Sequence, residues 1–282
     1  MGRISRHRRN PVAQLAVLLI ALLMTGGMYA LFSPASAENA ASDEEQVAQG
    51  RELFLVSCSF CHGQNGEGIR TDRGGVLGPS LVGVGAAAVD FQVSTGRMPM
   101  ASQGAQAPRK DPVFNEEETA ALAAYVASLG PGPSIPTAAD YSLEGMSAKQ
   151  REEAVVRGGQ IFLTNCTACH NFNGSGGAMP RGGYAPSLKG VEEKHIYEAL
   201  LTGPQAMPTF SNGNLSPDEK RDVIAYLKSI EKAPGYGGFS LGNMGPVAEG
   251  LGAWVVGLGS LVLAAVWIAA HTTRSSKKKA EA

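Results

Sequence analysis

The chain of 282 residues has few cysteines, few tryptophans and almost no net charge. Its formal net charge of −1 gives it neither the broad basic surface that binds nucleic acid nor a strong field that would steer a charged partner. The two tryptophans, Trp254 and Trp267, lie in one apolar stretch near the carboxy terminus. All four cysteines belong to two pentads, 58–62 and 166–170, so no cysteine remains for a disulfide or a separate nucleophile.

Both pentads have the pattern Cys-x-x-Cys-His. This pattern attaches c-type haem, because the two thiols bind the porphyrin covalently and the adjacent histidine can ligate the iron. The alternatives are a pair of dithiol redox motifs or one zinc site built from four cysteines. Two copies in matching surroundings favour haem. The sequence therefore predicts two covalently bound haem c groups, attached and ligated by Cys58, Cys61 and His62 and by Cys166, Cys169 and His170.

The surroundings of the two pentads repeat along the chain, with an offset of 108 residues between the first cysteines. The matched segments are 50–54 with 158–162, 78–81 with 185–188, 95–96 with 202–203, and 124–126 with 225–227. Each copy reads as a helix, the pentad, a loop rich in glycine and proline, and a final helix. Capping patterns predict the helix starts at Ser42 with Glu45, Asn115 with Glu118, Ser147 with Gln150, and Ser216 with Glu219. The pattern indicates a duplicated, mainly α-helical domain.

This order of elements resembles the small class I cytochromes c, over nearly all of both repeats. The resemblance implies that the first and last helices of each repeat cross with a small residue against an aromatic one. The residues that match this role are Gly50, Phe54 and Tyr125 in the first repeat and Gly158, Phe162 and Tyr226 in the second. It also implies that the carbonyl of Pro79 orients His62 and that the carbonyl of Pro186 orients His170.

The sixth iron ligand distinguishes electron transfer from catalysis, because methionine closes the iron to substrates and raises its potential. Met98 and Met207 each precede a proline, 36 and 37 residues after their histidines. By resemblance to class I cytochromes c, both are expected to be iron ligands. Met100 remains an alternative to Met98. His195 is an alternative ligand that would make the second haem bis-histidine, but it follows the charged run 192–194 and is expected at the surface.

Apolar runs at 12–32 and 247–270 are each long enough to cross a bilayer as a helix of about 30 Å. Basic residues precede the first run and follow the second, which predicts that both tails are cytoplasmic and that the haem motifs lie outside. The Ala35–Ala37 tripeptide resembles a signal-peptidase site, so residues 1–37 are either a retained anchor, which the length of the run favours, or a cleaved signal. A proline- and glycine-rich linker separates the haem domains. The predicted segments are 1–37 (basic tail and anchor), 42–130 (first cytochrome c domain), 131–146 (linker), 147–232 (second cytochrome c domain), 233–246 (linker), 247–270 (transmembrane helix) and 271–282 (basic tail).

Two class I cytochrome c domains flanked by an amino-terminal and a carboxy-terminal transmembrane helix resemble one family across the whole chain. It is the dihaem cytochrome c subunit of the actinobacterial menaquinol–cytochrome c reductase, the cytochrome bcc complex. The resemblance implies a cell-membrane protein with a cytochrome b subunit, a Rieske iron–sulfur subunit and cytochrome c oxidase as partners. It further implies an electron-transfer subunit of a quinol–cytochrome c reductase, without catalytic chemistry of its own.

Three other functions remain open from the sequence. A dihaem subunit of a cbb-type oxidase is anchored at the amino terminus, so the carboxy-terminal run argues against it. A free-standing membrane-anchored dihaem carrier fits the same residues. A dihaem peroxidase needs a vacant or displaceable iron ligand, and the methionines in both repeats argue against that.

Overall fold

The computed structural model describes residues 11–32, 36–72, 74–104, 106–180, 183–232 and 250–280. Within these ranges the fold is mainly helical, as the sequence predicts, and its strands form two short antiparallel pairs. The linker predicted at 233–246 and the basic cluster before residue 11 lie outside the described residues. The helices are α1 (Pro11–Phe32), α2 (Ser36–Ser57), α3 (Ser59–His62), α4 (Ala86–Ser94), α5 (Glu116–Ser128), α6 (Ala138–Tyr141), α7 (Ala148–Asn165), α8 (Thr167–His170), α9 (Glu193–Thr202), α10 (Pro217–Lys232) and α11 (Gly259–Ala280), with a π-helical stretch at Ala253–Leu258.

Helices α2 and α5 cross at a point of very close backbone approach. A Cβ atom on Gly50 would collide with the carbonyl oxygen of Ala121, so only glycine permits this crossing. One turn further along, the ring centroids of Phe54 and Tyr125 lie 5.1 Å apart. Phe54 is 1% exposed and belongs to the first buried cluster. The predicted contact of a small residue and an aromatic one is confirmed in the first repeat.

Helices α7 and α10 repeat this crossing in the second half of the chain. A Cβ atom on Gly158 would collide with the carbonyl oxygen of Asp222. The ring centroids of Phe162 and Tyr226 lie 5.4 Å apart, and Phe162 is also 1% exposed. Each helix pair therefore encloses its own buried cluster, and the same residue types produce both crossings.

Three of the four predicted helix starts are confirmed as capping boxes. The Asn115 side chain accepts a hydrogen bond from the Glu118 amide, and the Glu118 carboxylate accepts one from the Asn115 amide, both at 2.9 Å. The same reciprocal bonds join Ser147 to Gln150 and Ser216 to Glu219. These starts are predictable because donor and acceptor are only three residues apart.

The fourth predicted start, at Ser42, is wrong. Helix α2 begins at Ser36 and runs without a break to Ser57. Three of the five residues between Ser36 and Ser42 are alanine, the residue with the highest helix propensity, so the helix extends upstream of the capping pattern.

The two strand pairs occupy corresponding places in the two repeats. Strands β1 (Ile69–Arg70) and β2 (Val76–Gly78) pair after the first pentad, and β3 (Gly177–Ala178) and β4 (Tyr184–Ala185) pair after the second. In both pairs the strands run antiparallel, with Ile69 opposite Gly78 and Gly177 opposite Ala185. Each hairpin leads into the proline loop that returns the chain to the pentad histidine.

One helix among the described residues is long and apolar enough to cross a membrane. It spans Gly250–His271, and none of its apolar window is buried against the rest of the protein. Helix α1 covers the first predicted span with 22 residues.

Candidate haem-attachment sites

Each pentad closes a tight helical turn at the end of a long helix. The His62 amide donates to the Cys58 carbonyl at 3.0 Å, and the His170 amide donates to the Cys166 carbonyl at 2.9 Å. The turn begins where α2 or α7 ends, so each crossing helix positions its own pentad. All four cysteines are free and partly buried. Two thiols and an imidazole are therefore presented together at each turn.

Each pentad histidine is oriented by a proline carbonyl. Nδ1 of His62 lies 2.8 Å from the Pro79 oxygen, and Nδ1 of His170 lies 3.1 Å from the Pro186 oxygen. A carbonyl oxygen only accepts hydrogen bonds, so the proton is on Nδ1 and the lone pair of Nε2 is available to a metal. This contact fixes both the ring orientation and the tautomer that iron ligation requires.

The loops that carry these prolines fold in the same way around the two histidines. Gly68 and Gly176 both have φ of +82°, in the left-handed region that favours glycine. The Gly68 amide donates to the His62 carbonyl at 2.7 Å, and the Gly176 amide donates to the His170 carbonyl at 2.9 Å. A Cβ atom at Gly68 would lie 2.5 Å from the Ser80 amide nitrogen. Glycine at this position lets the proline loop approach the histidine.

The cysteine pairs do not converge on a single zinc site. Cys58 packs against the first buried cluster and Cys166 against the second. Burial, with a smaller contribution from the neighbouring cysteine of the pair, raises the pKa of both thiols to about 11, so they are protonated at neutral pH. Burial also lowers the pKa of His170, which keeps its imidazole neutral and able to bind a metal. The separation of the two cysteine pairs argues against a four-thiolate zinc centre.

Met98 and Met207 both contact the buried clusters of their repeats. Met98 packs against the cluster that contains Phe54, and Met207 packs against the cluster that contains Phe162. Met100, the alternative to Met98, is not among the residues packed against the first cluster. The structure thus places the two repeat-matched methionines on corresponding inward positions.

The second repeat contains a cavity of about 400 Å³, within the roughly 300–1,000 Å³ typical of cofactor sites. Cys166, Cys169, His170 and Met207 all line it. Two thiols, an oriented imidazole and a thioether around one largely apolar cavity fit a covalently attached haem c, for which His170 and Met207 would be the iron ligands.

The structure corrects the expectation for His195. This residue is 8% exposed, and its Nε2 lies 3.0 Å from the Ser94 hydroxyl on α4. The Phe91 ring packs edge-on against the imidazole, with centroids 6.2 Å apart. The prediction of a surface position was wrong because the covering residues come from the first repeat, about a hundred positions earlier in the chain.

The sequence analysis also missed residues of the first repeat that reach the second cavity. Arg97, Gln106 and Arg109 line it together with the second pentad. The feature of the sequence that could have indicated them is the stretch 97–109, which is longer than the corresponding part of the second repeat. The second site is therefore built by both repeats.

A family model and several known proteins match more than half of this chain. The model of the family described as cytochrome c oxidase, cbb3-type, subunit III matches residues 45–126 and 153–227, one window for each pentad. The cytochrome bc1 complex cytochrome c subunit of Mycobacterium tuberculosis is 44% identical over 274 residues, which cover 96% of this chain and 95% of that protein. The protein of the same name from Corynebacterium diphtheriae is 44% identical over 279 residues, which cover 96% of this chain and 98% of that protein.

More distant similarities are limited to part of the chain. The cbb3-type cytochrome c oxidase subunit FixP of Bradyrhizobium diazoefficiens is 26% identical over 194 residues, 65% of this chain and 60% of that protein. Among solved structures, a chain of the Kuenenia stuttgartiensis reducing HAO-like protein complex covers 64% of this chain and 95% of its own length, at 17% identity and a TM-score of 0.35. The relatives at 44% identity extend over both pentads and the carboxy-terminal apolar helix. The chain is a c-type cytochrome, and it belongs to the family of actinobacterial cytochrome bc1 complex cytochrome c subunits.

Proposed function

We propose that this protein is the membrane-anchored dihaem cytochrome c subunit of a respiratory menaquinol–cytochrome c reductase. The observation that carries the proposal is the duplicated attachment site: on one chain, two Cys-x-x-Cys-His turns each have a histidine Nδ1 within 3.1 Å of a proline carbonyl. A haem bound at each turn supplies one-electron redox chemistry at its iron.

The chain's residues have distinct tasks in this proposal. Cys58 and Cys61, with Cys166 and Cys169, hold the two haems covalently. His62 and His170, oriented by the Pro79 and Pro186 carbonyls, would ligate the two irons through Nε2. Met98 and Met207 would supply the second ligand of each iron. A histidine and a methionine leave no iron position for a substrate, so the protein transfers electrons and performs no separate catalytic reaction.

The names of the relatives support the proposed partners. Curated relatives are named as subunits of the cytochrome bc1 complex. In the proposed pathway electrons come from menaquinol at a cytochrome b subunit through a Rieske iron–sulfur subunit, and leave toward cytochrome c oxidase. The net charge of −1 is consistent with a subunit whose partners are held in one assembly, because a diffusing carrier gains its association rate from charge complementarity.

The proposed topology places both termini in the cytoplasm and the cytochrome c domains, 42–130 and 147–232, on the outer face of the cell membrane. The apolar helix Gly250–His271 and the basic residues after it support the carboxy-terminal anchor. The length of the apolar run at 12–32 supports a retained amino-terminal anchor, with cleavage after Ala37 as the alternative.

Purification of the native protein in mild detergent tests the proposal. A pyridine haemochrome assay should count two covalent haems per chain, and mass spectrometry should identify the cytochrome b and Rieske subunits. Cys58→Ser and Cys166→Ser should each remove one haem and largely spare the other. A count near one, or haem that acid–acetone extracts, would contradict two attachment sites. Two haems without accompanying subunits would instead support a free-standing carrier.

A further inference from the structure

A loop of the first repeat forms part of the wall of the cavity at the second pentad. The Gln106 side chain donates to the Tyr184 carbonyl at 2.6 Å and accepts from the Tyr184 amide at 2.8 Å. The Gln205 side chain makes the reciprocal contact, donating to the Ala107 carbonyl at 3.1 Å and accepting from the Ala107 amide at 3.3 Å. Each glutamine thus satisfies both backbone groups of a residue in the other repeat, which holds the loop on the rim of the cavity.

Two arginines of the first repeat also line the cavity, Arg97 before Gln106 in the sequence and Arg109 after Ala107. Arg97 is partly buried, with its guanidinium 4.7 Å from the centre of the Phe91 ring. Arg109 lines the same cavity from an exposed position and is therefore at its opening. Burial lowers the pKa of Arg97, and the positive charge of Arg109 lowers it further. Both guanidinium groups line one cavity, so their positive charges act on the same space.

The charged side chains that line the cavity, among the described residues, are all basic. Arg97, Arg109 and Lys189 line it, and no aspartate or glutamate is among the described residues that do so. Neither Arg97 nor Arg109 forms an ion pair with a carboxylate in the part of the chain that the structure describes. Like charges brought together in a partly desolvated space are unfavourable unless an anion joins them. The cavity is therefore suited to a ligand that carries negative charge on one edge.

Haem c has that property, since its two propionate groups are carboxylates on one edge of an otherwise apolar ring. We infer that Arg97 and Arg109 of the first repeat bind the propionates of the haem held by Cys166, Cys169 and His170. The second haem site is then incomplete without the first repeat. This inference rests on the proposed presence of a haem at the second pentad.

A consequence of this arrangement is a raised reduction potential. Reduction adds one negative charge to the haem, and nearby positive groups stabilise the reduced form more than the oxidised form. Removing one guanidinium should shift the equilibrium of the second haem toward oxidation by roughly tenfold, which is about 59 mV for a one-electron couple.

Redox titration of the full-length protein in detergent tests this effect. Arg97→Gln, Arg109→Gln and the double variant should each lower the potential of one haem, and Arg97→Lys should restore most of it because the charge is kept. Met207→His identifies the second haem, because a change of axial ligand moves its potential. The matched control is Arg51→Gln, which removes an exposed arginine on α2 outside the cavity and should leave both potentials unchanged.

The outcomes separate this inference from the proposed function. A native protein with no covalent haem at the second pentad contradicts both. Two haems with an unaltered second potential in the double glutamine variant overturn the arginine assignment alone, as does a shift confined to the first haem. If the double glutamine variant loses the second haem, the double lysine variant should retain it, and loss in both variants also overturns the assignment.

Discussion

Lys194 Nζ lies 2.5 Å from Asp90 Oδ2 and joins the two repeats through one ion pair. Asp90 is on α4 of the first repeat and is 6% exposed, and Lys194 is on α9 of the second. The carboxyl group of Glu198, which is fully buried, lies 3.9 Å from the same ammonium group. Asp90, His195 and Glu198 are grouped closely enough to bind a metal ion, but the Lys194 ammonium already supplies the positive charge there.

Replacing Lys194 by methionine should destabilise the contact between the repeats, because it leaves the buried Asp90 carboxylate without its cation. The expected cost is about 1–3 kcal/mol. A loss of about 1 kcal/mol lowers the melting temperature of a protein this size by roughly 2–4 °C. Thermal unfolding of the haem-loaded protein in detergent measures it.

Lys149→Met is the matched control for this experiment. Lys149 also lies one helical turn before a glutamate, at 3.9 Å from Glu153, but its side chain is 86% exposed. An exposed pair of this kind contributes little, so the melting temperature should change by less than about 2 °C. Equal effects of the two substitutions would contradict a stabilising role for the Asp90–Lys194 pair.

The pH dependence of stability should depend on Glu198. Burial, followed by hydrogen bonding to Asp90 and its charge, raises the pKa of Glu198 from 4.5 to about 10, while the Lys194 charge acts in the opposite direction and Glu192 adds to the increase. The native carboxyl group therefore keeps its proton at pH values where the unfolded chain has lost it. This contribution is complete below pH 4.5 and decreases as the pH rises toward 10.

Glu198→Gln should therefore flatten the decline of stability between pH 5 and pH 9, because the amide is neutral in both states. Melting temperatures of the native and variant proteins across this range give the comparison. Glu153→Gln, at a side chain 54% exposed, serves as the control and should keep the native pH profile. Parallel profiles for the native protein and the Glu198 variant would show that this residue is ionised in the folded state.

Alanine substitutions at two adjacent glycines of α7 should change the stability of the protein by different amounts. Gly158→Ala places a Cβ atom against the Asp222 carbonyl at the helix crossing and should cost at least about 1–3 kcal/mol through overpacking. Gly159→Ala brings its Cβ only to 3.1 Å from the Tyr226 ring and gains about 0.5–1 kcal/mol of helix propensity. Thermal unfolding should rank the Gly158 variant well below the Gly159 variant, and the opposite order would contradict the close crossing of α7 and α10.

The proposed methionine ligands have a spectroscopic consequence. The oxidised protein should be low-spin at both haems and should show the weak near-infrared band of methionine bound to ferric haem. Met98→Leu and Met207→Leu should each remove about half of this band. Met100→Leu is the control, and loss of the band from the first haem in that variant would assign Met100, and not Met98, as the ligand.

Removal of the carboxy-terminal helix should slow the transfer of electrons from quinol to the two cytochrome c domains. A chain that ends before residue 247 lacks the apolar helix Gly250–His271 but keeps both pentads. We expect its optical spectrum to be unchanged and its reduction by quinol-oxidising membranes to be much slower than that of the tethered protein. Equal reduction rates would favour a diffusing carrier.

Much of each proposed haem site could be predicted from residues close together in the chain. The order Cys-x-x-Cys-His by itself predicts an attachment site, and the capping boxes at Asn115, Ser147 and Ser216 depend on partners three residues away. Gly50 and Gly158 could also be recognised, because the repeat and the family resemblance place each opposite a second helix. Ser42 shows the limit of such reasoning, since alanines upstream extended the helix past a valid capping pattern.

Only the tertiary structure decided how the two repeats contact each other. The burial of His195 depends on Ser94 and Phe91, and the second cavity depends on Arg97 and Arg109, all from the other repeat. Local patterns are determined by backbone geometry over a few residues, which is the same wherever the sequence occurs. Contacts between repeats depend instead on which surfaces fit together once both cores have formed. The spacing of residues along the chain does not predict that fit.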